Sequence, residues 1–381
     1  MASQDWAPKI TPLFADEAKR YDSKFGKNTS RRILLIGGGG YIGTPVAMEL
    51  LRQGFYVRNL DAFLFNTQSS VTAPLMNPGY EVVVGDFGDA NIVRRSLIGV
   101  TDVVMLGGLV GDPITKAHPA ASHAINEVAV RKCLDTLNGR GLNKVIFVST
   151  CSNYGLMDKG KLANEPSPLQ PLSLYAKAKV AAEKHILRMK GNSDFCGVIL
   201  RFATAFGLAP RMRFDLTVNE FTREIFVGNE LIVYDAQTWR PYCHVRDFAR
   251  LIAQVLLFPA DRIEYQVFNA GGEKNNHTKQ SIIDIVLSKL PRGQVSYREL
   301  GSDPRNYRVD FRKVREELFF EPAYDVQYGV TELISALQNG FFSDYADRRN
   351  FYGNYELRHT DEMRNTDTFA TRPMLLYGTA R

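Results

Sequence analysis

Residues 33–43 read Ile-Leu-Leu-Ile-Gly-Gly-Gly-Gly-Tyr-Ile-Gly, a short apolar run that ends in glycines. The run is typical of a buried strand, and Thr44–Gln53 continues it with a helical pattern. Gly37, Gly40 and Gly43 form G-x-x-G-x-x-G, a variant of the fingerprint whose tight turn lets the backbone approach a pyrophosphate. The N–H groups and dipole at the helix start would then hold the phosphates. The stretch therefore predicts a dinucleotide-binding β–α turn rather than a turn without a ligand.

Two carboxylates follow the next predicted strands. Asp61 lies 21 residues after Gly40, where a carboxylate would accept hydrogen bonds from the adenosine ribose. No basic residue directly follows Asp61, so the sequence favours NAD over NADP. Asp86, in Val-Val-Gly-Asp-Phe, would bind the adenine amino group with Phe87 flanking the ring. The alternative for Asp86 is the N-cap of a helix that begins near Ala90.

Strand and helix patterns alternate along the first 200 residues. The predicted strands are Ile33–Ile36, Phe55–Leu60, Glu81–Val84, Asp102–Leu106, Lys144–Val148 and Cys196–Phe202. The predicted helices are Thr44–Gln53, Ile92–Leu97, His123–Leu137 and Leu174–Met189. Alternation at this spacing indicates βαβ units, and the near-continuous apolar strands fit a sheet that is covered on both faces. The expected fold is α/β, a Rossmann-type doubly wound parallel sheet with a smaller mixed α/β substrate-binding domain.

The domain boundaries follow from changes in this rhythm. Residues 1–30 are predicted to be an N-terminal extension, and residues 31–203 the NAD-binding domain, with a later return near 240–260. Residues 204–344 are predicted to form most of the smaller mixed domain, because strand–helix alternation is less regular there. The tail at 345–381 is polar with scattered aromatic residues, and it either wraps a neighbouring subunit or is partly loose.

Composition excludes several other classes of protein. The 381 residues are 45% hydrophobic and 23% charged, which is ordinary for a globular chain and unlike a disordered or fibrous one. The net charge of +6 is spread along the chain, so a nucleic-acid partner is not expected. The four cysteines form no C-x-x-C pair, so neither a metal site nor a disulfide framework is predicted. With no signal peptide and no apolar run of membrane-spanning length, we expect a cytoplasmic protein without membrane contact.

Tyr175 and Lys179 are four residues apart in a predicted helix and therefore share one face. A tyrosine has a pKa of about 10 and is a poor base at neutral pH. A neighbouring ammonium and a positive nicotinamide ring would both lower that pKa. Thr150 follows a strand at the edge where open α/β sheets bind ligands, so its hydroxyl would orient a substrate hydroxyl toward Tyr175. The alternatives are an exposed helix face for the pair and turn chemistry with Ser149 for Thr150.

The glycine turn, the strand-end Ser-Thr before Asn-Tyr-Gly, and Y-x-x-x-K together resemble the extended short-chain dehydrogenase/reductase family. The nearest branch is the NAD-dependent nucleotide-sugar epimerases and dehydratases. The resemblance runs from about residue 32 to about residue 337. Further matching segments are Arg201–Gly207, Trp239–Asp247 and Asp303–Asp310.

The resemblance implies roles for individual residues. Tyr175 would be the catalytic base, Lys179 its helper and a ribose ligand, and Thr150 the hydroxyl partner. NAD would be held by Gly37, Gly40, Tyr41, Ile42, Gly43, Asp61, Asp86, Phe87, Tyr175 and Lys179. The substrate would be held by Thr150, Arg211, Arg213, Asn219, Arg240 and Arg305. Arg240 matches the arginine that contacts the nucleotide diphosphate, and Arg305 would make a second phosphate contact. The alternative for Arg211 and Arg213 is a solvated loop.

The chain departs from the sugar dehydratases directly after Thr150. Those enzymes carry Thr-Asp-Glu, whereas this chain has Cys151 and Ser152. Serine is a poor substitute for the base, so ordinary 4,6-dehydration is not expected. Cys151 would be either a proton donor near sugar C5 or a small buried residue.

The function expected from these residues is a nucleotide-sugar epimerase that acts through transient oxidation at sugar C4 by tightly bound NAD. One alternative is a nucleotide-sugar 4-dehydrogenase or an atypical dehydratase, and another is a catalytically silent NAD(H)-binding sensor or scaffold. The resemblance also implies a homodimer, in which helices near 123–137 and 174–189 of each subunit form a four-helix interface. The alanines in Ala176–Ala182 would allow the helices to approach closely.

Overall fold

The computed structural model describes residues 30–158, 160–299 and 305–357. The predicted N-terminal extension, except Ser30, and the tail beyond Leu357 lie outside these residues. The strands are β1 Arg32–Ile36, β2 Tyr56–Asp61, β3 Tyr80–Val84, β4 Asp102–Met105, β5 Lys144–Thr150, β6 Leu162–Ala163, β7 Cys196–Phe202, β8 Thr204–Phe206, β9 Leu231–Tyr234, β10 Trp239–His244, β11 Gln266–Ala270, β12 Asn276–Thr278, β13 Val295–Arg298 and β14 Arg308–Val309.

The α-helices alternate with these strands. They are α1 Gly43–Arg52, α2 Thr72–Leu75, α3 Ala90–Ser96, α4 Asp112–Ala117, α5 Pro119–His123, α6 Val130–Leu137, α7 Leu174–Arg188, α8 Thr217–Phe226, α9 Val245–Leu257, α10 Ala260–Ile263, α11 Lys279–Lys289, α12 Arg312–Leu318 and α13 Val326–Gln338. Short 3₁₀ turns lie at Gln68–Val71, Cys151–Tyr154 and Glu273–Asn275, and a π-helical turn at Ala124–Ala129 joins α5 to α6.

Seven parallel strands form the central sheet in the order β11-β7-β5-β4-β1-β2-β3. The first strand lies between β2 and β4, so that Ile36 pairs with Leu60 on one side and with Met105 on the other. The strands are buried because helices cover both faces, with one apolar cluster on each side. The predicted doubly wound α/β sheet is confirmed, and its carboxyl edge collects the loops that form the site.

Three features of this domain differ from the predictions. The helix expected to begin at His123 begins at Pro119, and the π-helical turn interrupts it. The return from the substrate-binding domain extends beyond residue 260, because β11 adds the last strand to the sheet at Gln266–Ala270. The alanines expected to face a partner, such as Ala176 and Ala182, are buried within their own chain.

The smaller domain has its own core. A three-stranded sheet, β12-β10-β8, and the pair β13-β9 pack with α8, α11 and α13 around a third apolar cluster. Residues 341–357, here called the C-terminal strap, follow α13 and pack on the body of the same chain, where Phe351 and Tyr352 are buried. In the described ranges, no helix has the length and apolar character needed to cross a membrane.

Candidate active site

The glycine turn joins β1 to α1 over a very short distance. Gly37 has a φ of +83°, and its N–H donates to the Leu60 carbonyl at 2.8 Å, which ties the turn to the neighbouring strand. A Cβ on Gly43 would stand 2.5 Å from the Cα of Gly38, so only glycine fits where the helix meets the turn. The glycines at these positions are therefore explained by the fold itself.

Gly40 differs from the other glycines of the turn. A Cβ at this position would meet only the Gly37 carbonyl oxygen, at 3.5 Å, so the protein leaves room there. The first N–H groups of a helix have no partner within the helix, which leaves those around Tyr41 and Ile42 for an anion. A pyrophosphate needs such an uncovered approach, so the turn fits NAD.

Asp61 ends β2 beside the glycine turn. Its carboxylate accepts the N–H of Gly39 at 2.8 Å and the N–H of Phe63 at 2.7 Å. Burial raises the pKa of Asp61, although both N–H groups and the charge of Arg211 act against this rise. Asp61, which is proposed to bind the adenosine ribose, is thus held in place by two backbone N–H groups. Its carboxylate oxygens can accept further hydrogen bonds.

Asp86 lies exposed beyond β3 and accepts the N–H of Gly88 at 2.7 Å. The carboxylate of Asp89, not that of Asp86, caps α3 by accepting N–H groups of the first turn. The alternative reading of Asp86 as an N-cap is therefore wrong. A Cβ on Gly107 would lie 3.1 Å from the Phe87 ring, which places Phe87 beside the end of β4. Asp86 and Phe87 remain proposed adenine contacts.

Tyr175 and Lys179 lie one turn apart on α7. Ser173 caps this helix by accepting the N–H of Ala176 at 3.2 Å. The Nζ of Lys179 donates to the Val148 carbonyl of β5 at 2.8 Å and lies 5.8 Å from the centre of the Tyr175 ring. The ammonium is thereby anchored to the strand that ends in Thr150.

The charges around the phenol differ from those expected. Burial raises the pKa of Tyr175 above its usual value, and the carboxylate of Asp112 raises it further. Arg213 and Arg305 are the cations that act against this rise. Burial lowers the pKa of Lys179 to about 8. Without a nicotinamide charge nearby, the phenol is therefore protonated at neutral pH.

The side chains of Thr150 and Cys151 lie in different surroundings. The Thr150 hydroxyl accepts the N–H of Ser152 at 3.1 Å, not a bond from Ser149 as the alternative expected, because the Ser149 hydroxyl donates to Glu183; Thr150 keeps its own proton for a further acceptor. Cys151 is 1% exposed, and its thiol donates to the Arg201 carbonyl at 3.2 Å. Burial raises the pKa of this thiol, so the geometry favours a packing role for Cys151 over proton donation.

Arg305 brings several polar groups together. Its Nη2 lies 2.6 Å from a carboxylate oxygen of Asp112, and its Nη1 donates to the Ser152 hydroxyl at 3.3 Å. Arg240 donates to the Arg305 carbonyl, and its guanidinium lies 5.1 Å from the centre of the Tyr307 ring. The two arginines proposed for the substrate diphosphate thus belong to one cluster. Asp112, which also belongs to it, was not predicted from the sequence because nothing in its sequence context marks it.

A buried ion pair packs against α7, the helix that carries Tyr175 and Lys179. The guanidinium of Arg201 lies 2.7 Å from the carboxylate of Glu183, which is one turn beyond Lys179 on α7. Asn153 donates to Glu183 at 2.8 Å, and Arg201 donates to the Tyr154 hydroxyl at 3.0 Å. The pair connects α7 to the ends of β5 and β7. Sequence reasoning did not single it out.

Asn126 was also missed. It is buried in the π-helical turn, where its side chain accepts the N–H of Leu109 at 2.7 Å and donates to the Leu109 carbonyl at 2.9 Å. Two hydrogen bonds to one residue hold the loop that follows β4 at the carboxyl edge of the sheet. A π turn at a functional site is common, but no periodicity in the sequence indicates it.

Asn219 connects the two domains. It is fully buried, accepts the N–H of Gly207 at 3.1 Å, and donates to the Tyr41 hydroxyl at 2.9 Å and the Arg213 carbonyl at 3.0 Å. These bonds use both ends of its amide, which favours a positioning role over the proposed substrate contact.

Arg211 and Arg213 are buried, so their alternative placement in a solvated loop is wrong. Arg213 makes a two-pronged ion pair with Asp215, with both N···O distances at 2.6 Å. The Nη2 of Arg211 donates to the Asn354 side chain at 2.6 Å and to the Gly353 carbonyl at 3.2 Å, both in the C-terminal strap.

Comparison with known proteins identifies the family. The model of the NAD-dependent epimerase/dehydratase family matches residues 33–271. UDP-arabinose 4-epimerase 1 of Arabidopsis thaliana is 25% identical over 317 residues, covering 73% of this chain and 74% of that protein.

Solved structures show the same fold. UDP-glucuronic acid 4-epimerase from Bacillus cereus, in complex with UDP-glucuronic acid and NAD, has a TM-score of 0.73 at 21% identity, covering 81% of this chain and 99% of that one. The dTDP-glucose 4,6-dehydratase DesIV from Streptomyces venezuelae, with NAD and TYD bound, has a TM-score of 0.72 at 23% identity, covering 85% and 100%. Since the family match spans more than half of the chain and the glycine turn fits its cofactor, the protein belongs to the NAD-dependent epimerase/dehydratase family.

Proposed function

We propose that the protein interconverts C4 epimers of a nucleotide-diphosphate sugar through transient oxidation at C4. The observation that carries the proposal is the anchoring of Lys179 to Val148, two residues before Thr150 on the same strand. One strand end and one helix thereby supply a hydroxyl, a phenol and an ammonium to the same edge of the sheet. This set suits proton transfer at a secondary alcohol.

Bound NAD would accept the C4 hydride and return it, so that no cofactor is consumed. Tyr175 would take the proton of the C4 hydroxyl during oxidation and give it back during reduction. Thr150 would hold the same hydroxyl by a hydrogen bond. Because burial and Asp112 raise the pKa of Tyr175, the phenol would act as a base only once a positive charge stands beside it.

The substrate class follows from the arginine cluster. Arg240 and Arg305 suit a diphosphate, because a guanidinium can bind phosphate oxygens in pairs. Arg305 would exchange its contact with Asp112 for one with the ligand. The relative from Arabidopsis thaliana is named for a UDP-sugar, which supports a nucleotide sugar here. Epimerisation is favoured over ordinary dehydration because Cys151 and Ser152 replace the dehydratase acids.

The proposal is tested with a panel of UDP-, GDP-, CDP- and dTDP-sugars, following the C4 configuration by NMR. We expect one sugar class to equilibrate between two C4 epimers without net accumulation of NADH. Tyr175→Phe should lower the rate by about 10²- to 10⁴-fold, the range for loss of a general base, while NAD remains bound. Tyr234→Phe, at an exposed tyrosine on β9, is the matched control and should keep wild-type activity.

Two outcomes would overturn the proposal. The first is that no sugar in the panel changes configuration although the protein retains NAD, which would favour a silent NAD(H)-binding protein. The second is that Tyr175→Phe turns over the true substrate at the wild-type rate. Accumulation of NADH or of a keto sugar would instead support a 4-dehydrogenase.

A second candidate, an atypical dehydratase, is favoured by one observation. The carboxylate of Asp112 and the hydroxyl of Ser152 share the guanidinium of Arg305, so an acidic group does stand near the phenol. Such a carboxylate could take the proton from C5 of a 4-keto sugar and pass it to the C6 hydroxyl, which would leave as water; hydride from the reduced cofactor would then return to C6 and a solvent proton to C5. Deuterium incorporation at C5 from D₂O, lost in Asp112→Asn, would distinguish this reaction from C4 epimerisation.

A homodimer is also proposed. Val128 lies in the π-helical turn, and Leu174 and Leu187 lie on α7; all three are exposed large apolar residues on the elements expected to form the interface. Their burial against a second copy would stabilise the dimer. Sedimentation equilibrium should give twice the monomer mass, and Leu187→Glu should shift the protein toward the monomer.

A further inference from the structure

Within the part of the chain that the structure describes, Arg211 is a buried cation with no anion in contact. It is 3% exposed, and both of its hydrogen-bond acceptors, in Gly353 and Asn354, are neutral. Along residues 30–158, 160–299 and 305–357, no carboxylate comes within ion-pair distance of its guanidinium, whereas Arg213 is fully paired with Asp215. Burial lowers the pKa of Arg211 to about 9, and the charge of Arg213 adds to this effect. A charge buried without a partner is costly, which makes the site ready for an anionic ligand.

The neighbours of Arg211 place it over the carboxyl end of β1. Its guanidinium lies 5.5 Å from the centre of the Phe65 ring, in the loop that follows β2. Asn354, which it contacts, also donates to the Val110 carbonyl at 2.6 Å, in the loop that follows β4. Because β2 and β4 flank β1 in the sheet, a residue that bridges their loops stands above β1, where the chain enters the glycine turn.

The charge of Arg211 is also felt at the glycine turn. Burial raises the pKa of Asp61, the carboxylate that accepts the N–H of Gly39, and the charge of Arg211 acts against this rise. The guanidinium therefore acts on the cofactor side of the cleft. The substrate cluster around Arg240 and Arg305 shares the loop that follows β4, through Asp112, but its two arginines lie on β10 and just before β14.

We propose that Arg211 binds the pyrophosphate of NAD, not the diphosphate of the substrate, and that Asn354 in the C-terminal strap positions its guanidinium. The pyrophosphate would then be held from two sides, by the N–H groups at the start of α1 and by a guanidinium that can bind two oxygens at once. The inference rests on the family's use of NAD and not on the proposed epimerisation.

The strap is built to hold Arg211 in this position. The backbone N–H of Asn354 donates to Asp215 at 3.2 Å, in addition to the two bonds of its side chain. The Tyr352 carbonyl accepts the N–H of Phe214 at 2.7 Å, and Arg348 donates to the Ser69 hydroxyl at 3.1 Å. One short segment thus ties together the loops that follow β2, β4 and β8. This makes Asn354 a positioning residue for Arg211.

The test measures binding without turnover. Purified protein is stripped of nucleotide, and calorimetry gives the dissociation constants of NAD, ADP-ribose, adenosine and UDP. We expect Arg211→Gln to weaken NAD and ADP-ribose about 10- to 100-fold, the loss of one charged hydrogen-bonding pair, and to change UDP and adenosine less than twofold. Arg211→Lys should fall between, because an ammonium cannot make the paired contact. Asn354→Ala should weaken NAD in the same direction by a smaller factor.

The controls are the exposed Arg262→Gln and Asn339→Ala, which should bind every ligand as the wild type does. If Arg211→Gln bound UDP more weakly and NAD unchanged, Arg211 would be a substrate contact, and the proposal would be overturned. Unchanged binding of both ligands in a folded variant would overturn it as well. If Arg211→Gln does not fold, Asn354→Ala decides: wild-type NAD affinity in that variant contradicts the positioning role.

Discussion

The carboxylate of Asp112 lies 2.6 Å from the guanidinium of Arg305, and this ion pair stands beside the phenol of Tyr175. The pair joins the loop after β4 to a segment from the far end of the chain. Its two members act in opposite directions on the phenol, since Asp112 raises the pKa of Tyr175 and Arg305 lowers it. A ligand that takes Arg305 from Asp112 would therefore also change the charge balance at the catalytic group.

Removing the charge of Asp112 should shift the pH dependence of the oxidation step. In Asp112→Asn the pKa of Tyr175 falls, so the basic phenolate is available at lower pH. The rising limb of the plot of oxidation rate against pH should therefore move to lower pH by roughly one unit. Single-turnover rates of NAD reduction, measured across pH, check this. The exposed Asp261→Asn should leave the limb in place, and an unmoved limb in Asp112→Asn would contradict the assignment.

Lys179 should make stability depend on pH in a specific window. Its pKa is about 8 in the folded protein and about 10.4 in an unfolded chain, so between these values the unfolded state binds more protons and stability rises with pH. Between pH 8 and pH 10.4, the free energy of unfolding should therefore rise by about 3 kcal/mol more in the wild type than in Lys179→Met. Urea unfolding of the cofactor-free proteins measures this gain. Lys184→Met, exposed on the same helix, should follow the wild type at every pH.

Breaking the buried ion pair between Glu183 on α7 and Arg201 should destabilise the protein strongly. In Glu183→Gln the guanidinium of Arg201 keeps its burial but loses its counter-charge, which costs about 3–5 kcal/mol. Glu49→Gln removes a surface partner of Arg52 and should cost less than about 1 kcal/mol. Urea unfolding measures the free energy of unfolding of both variants. Equal losses would mean that the buried ion pair stabilises the protein no more than the surface pair does.

Two glycines of the turn should respond differently to alanine. Gly43→Ala puts a Cβ 2.5 Å from the Gly38 backbone, so we expect lower stability together with lost NAD binding. Gly40→Ala meets only the Gly37 oxygen at 3.5 Å, so the protein should fold normally and lose only cofactor affinity, by about 5- to 100-fold. Thermal unfolding and NAD titration separate these effects. Normal NAD affinity in Gly40→Ala would show that the cofactor does not approach the turn there.

Much of the site could be predicted because its signals are local. The glycine turn, Asp61 and the Tyr175–Lys179 spacing lie within single βα units, where helix and strand periods decide which residues share a face. Other residues gave no such signal. Asp112 and Asn126 act through partners brought to them by loops, and Asn354 lies in a segment whose sequence is mostly polar and aromatic.

The amino-acid order by itself determined the parallel α/β sheet, the dinucleotide turn and the helix that carries Tyr175 and Lys179, because each has a local signal: alternating strand and helix periods, a glycine-rich turn and an i, i+4 pair. Only the tertiary structure decided which charges surround Tyr175 and which loop holds Arg211. Those contacts join residues as far apart as Arg211 and Asn354, and their energies depend on burial. Burial is a property of the packed molecule and of no single stretch of its sequence.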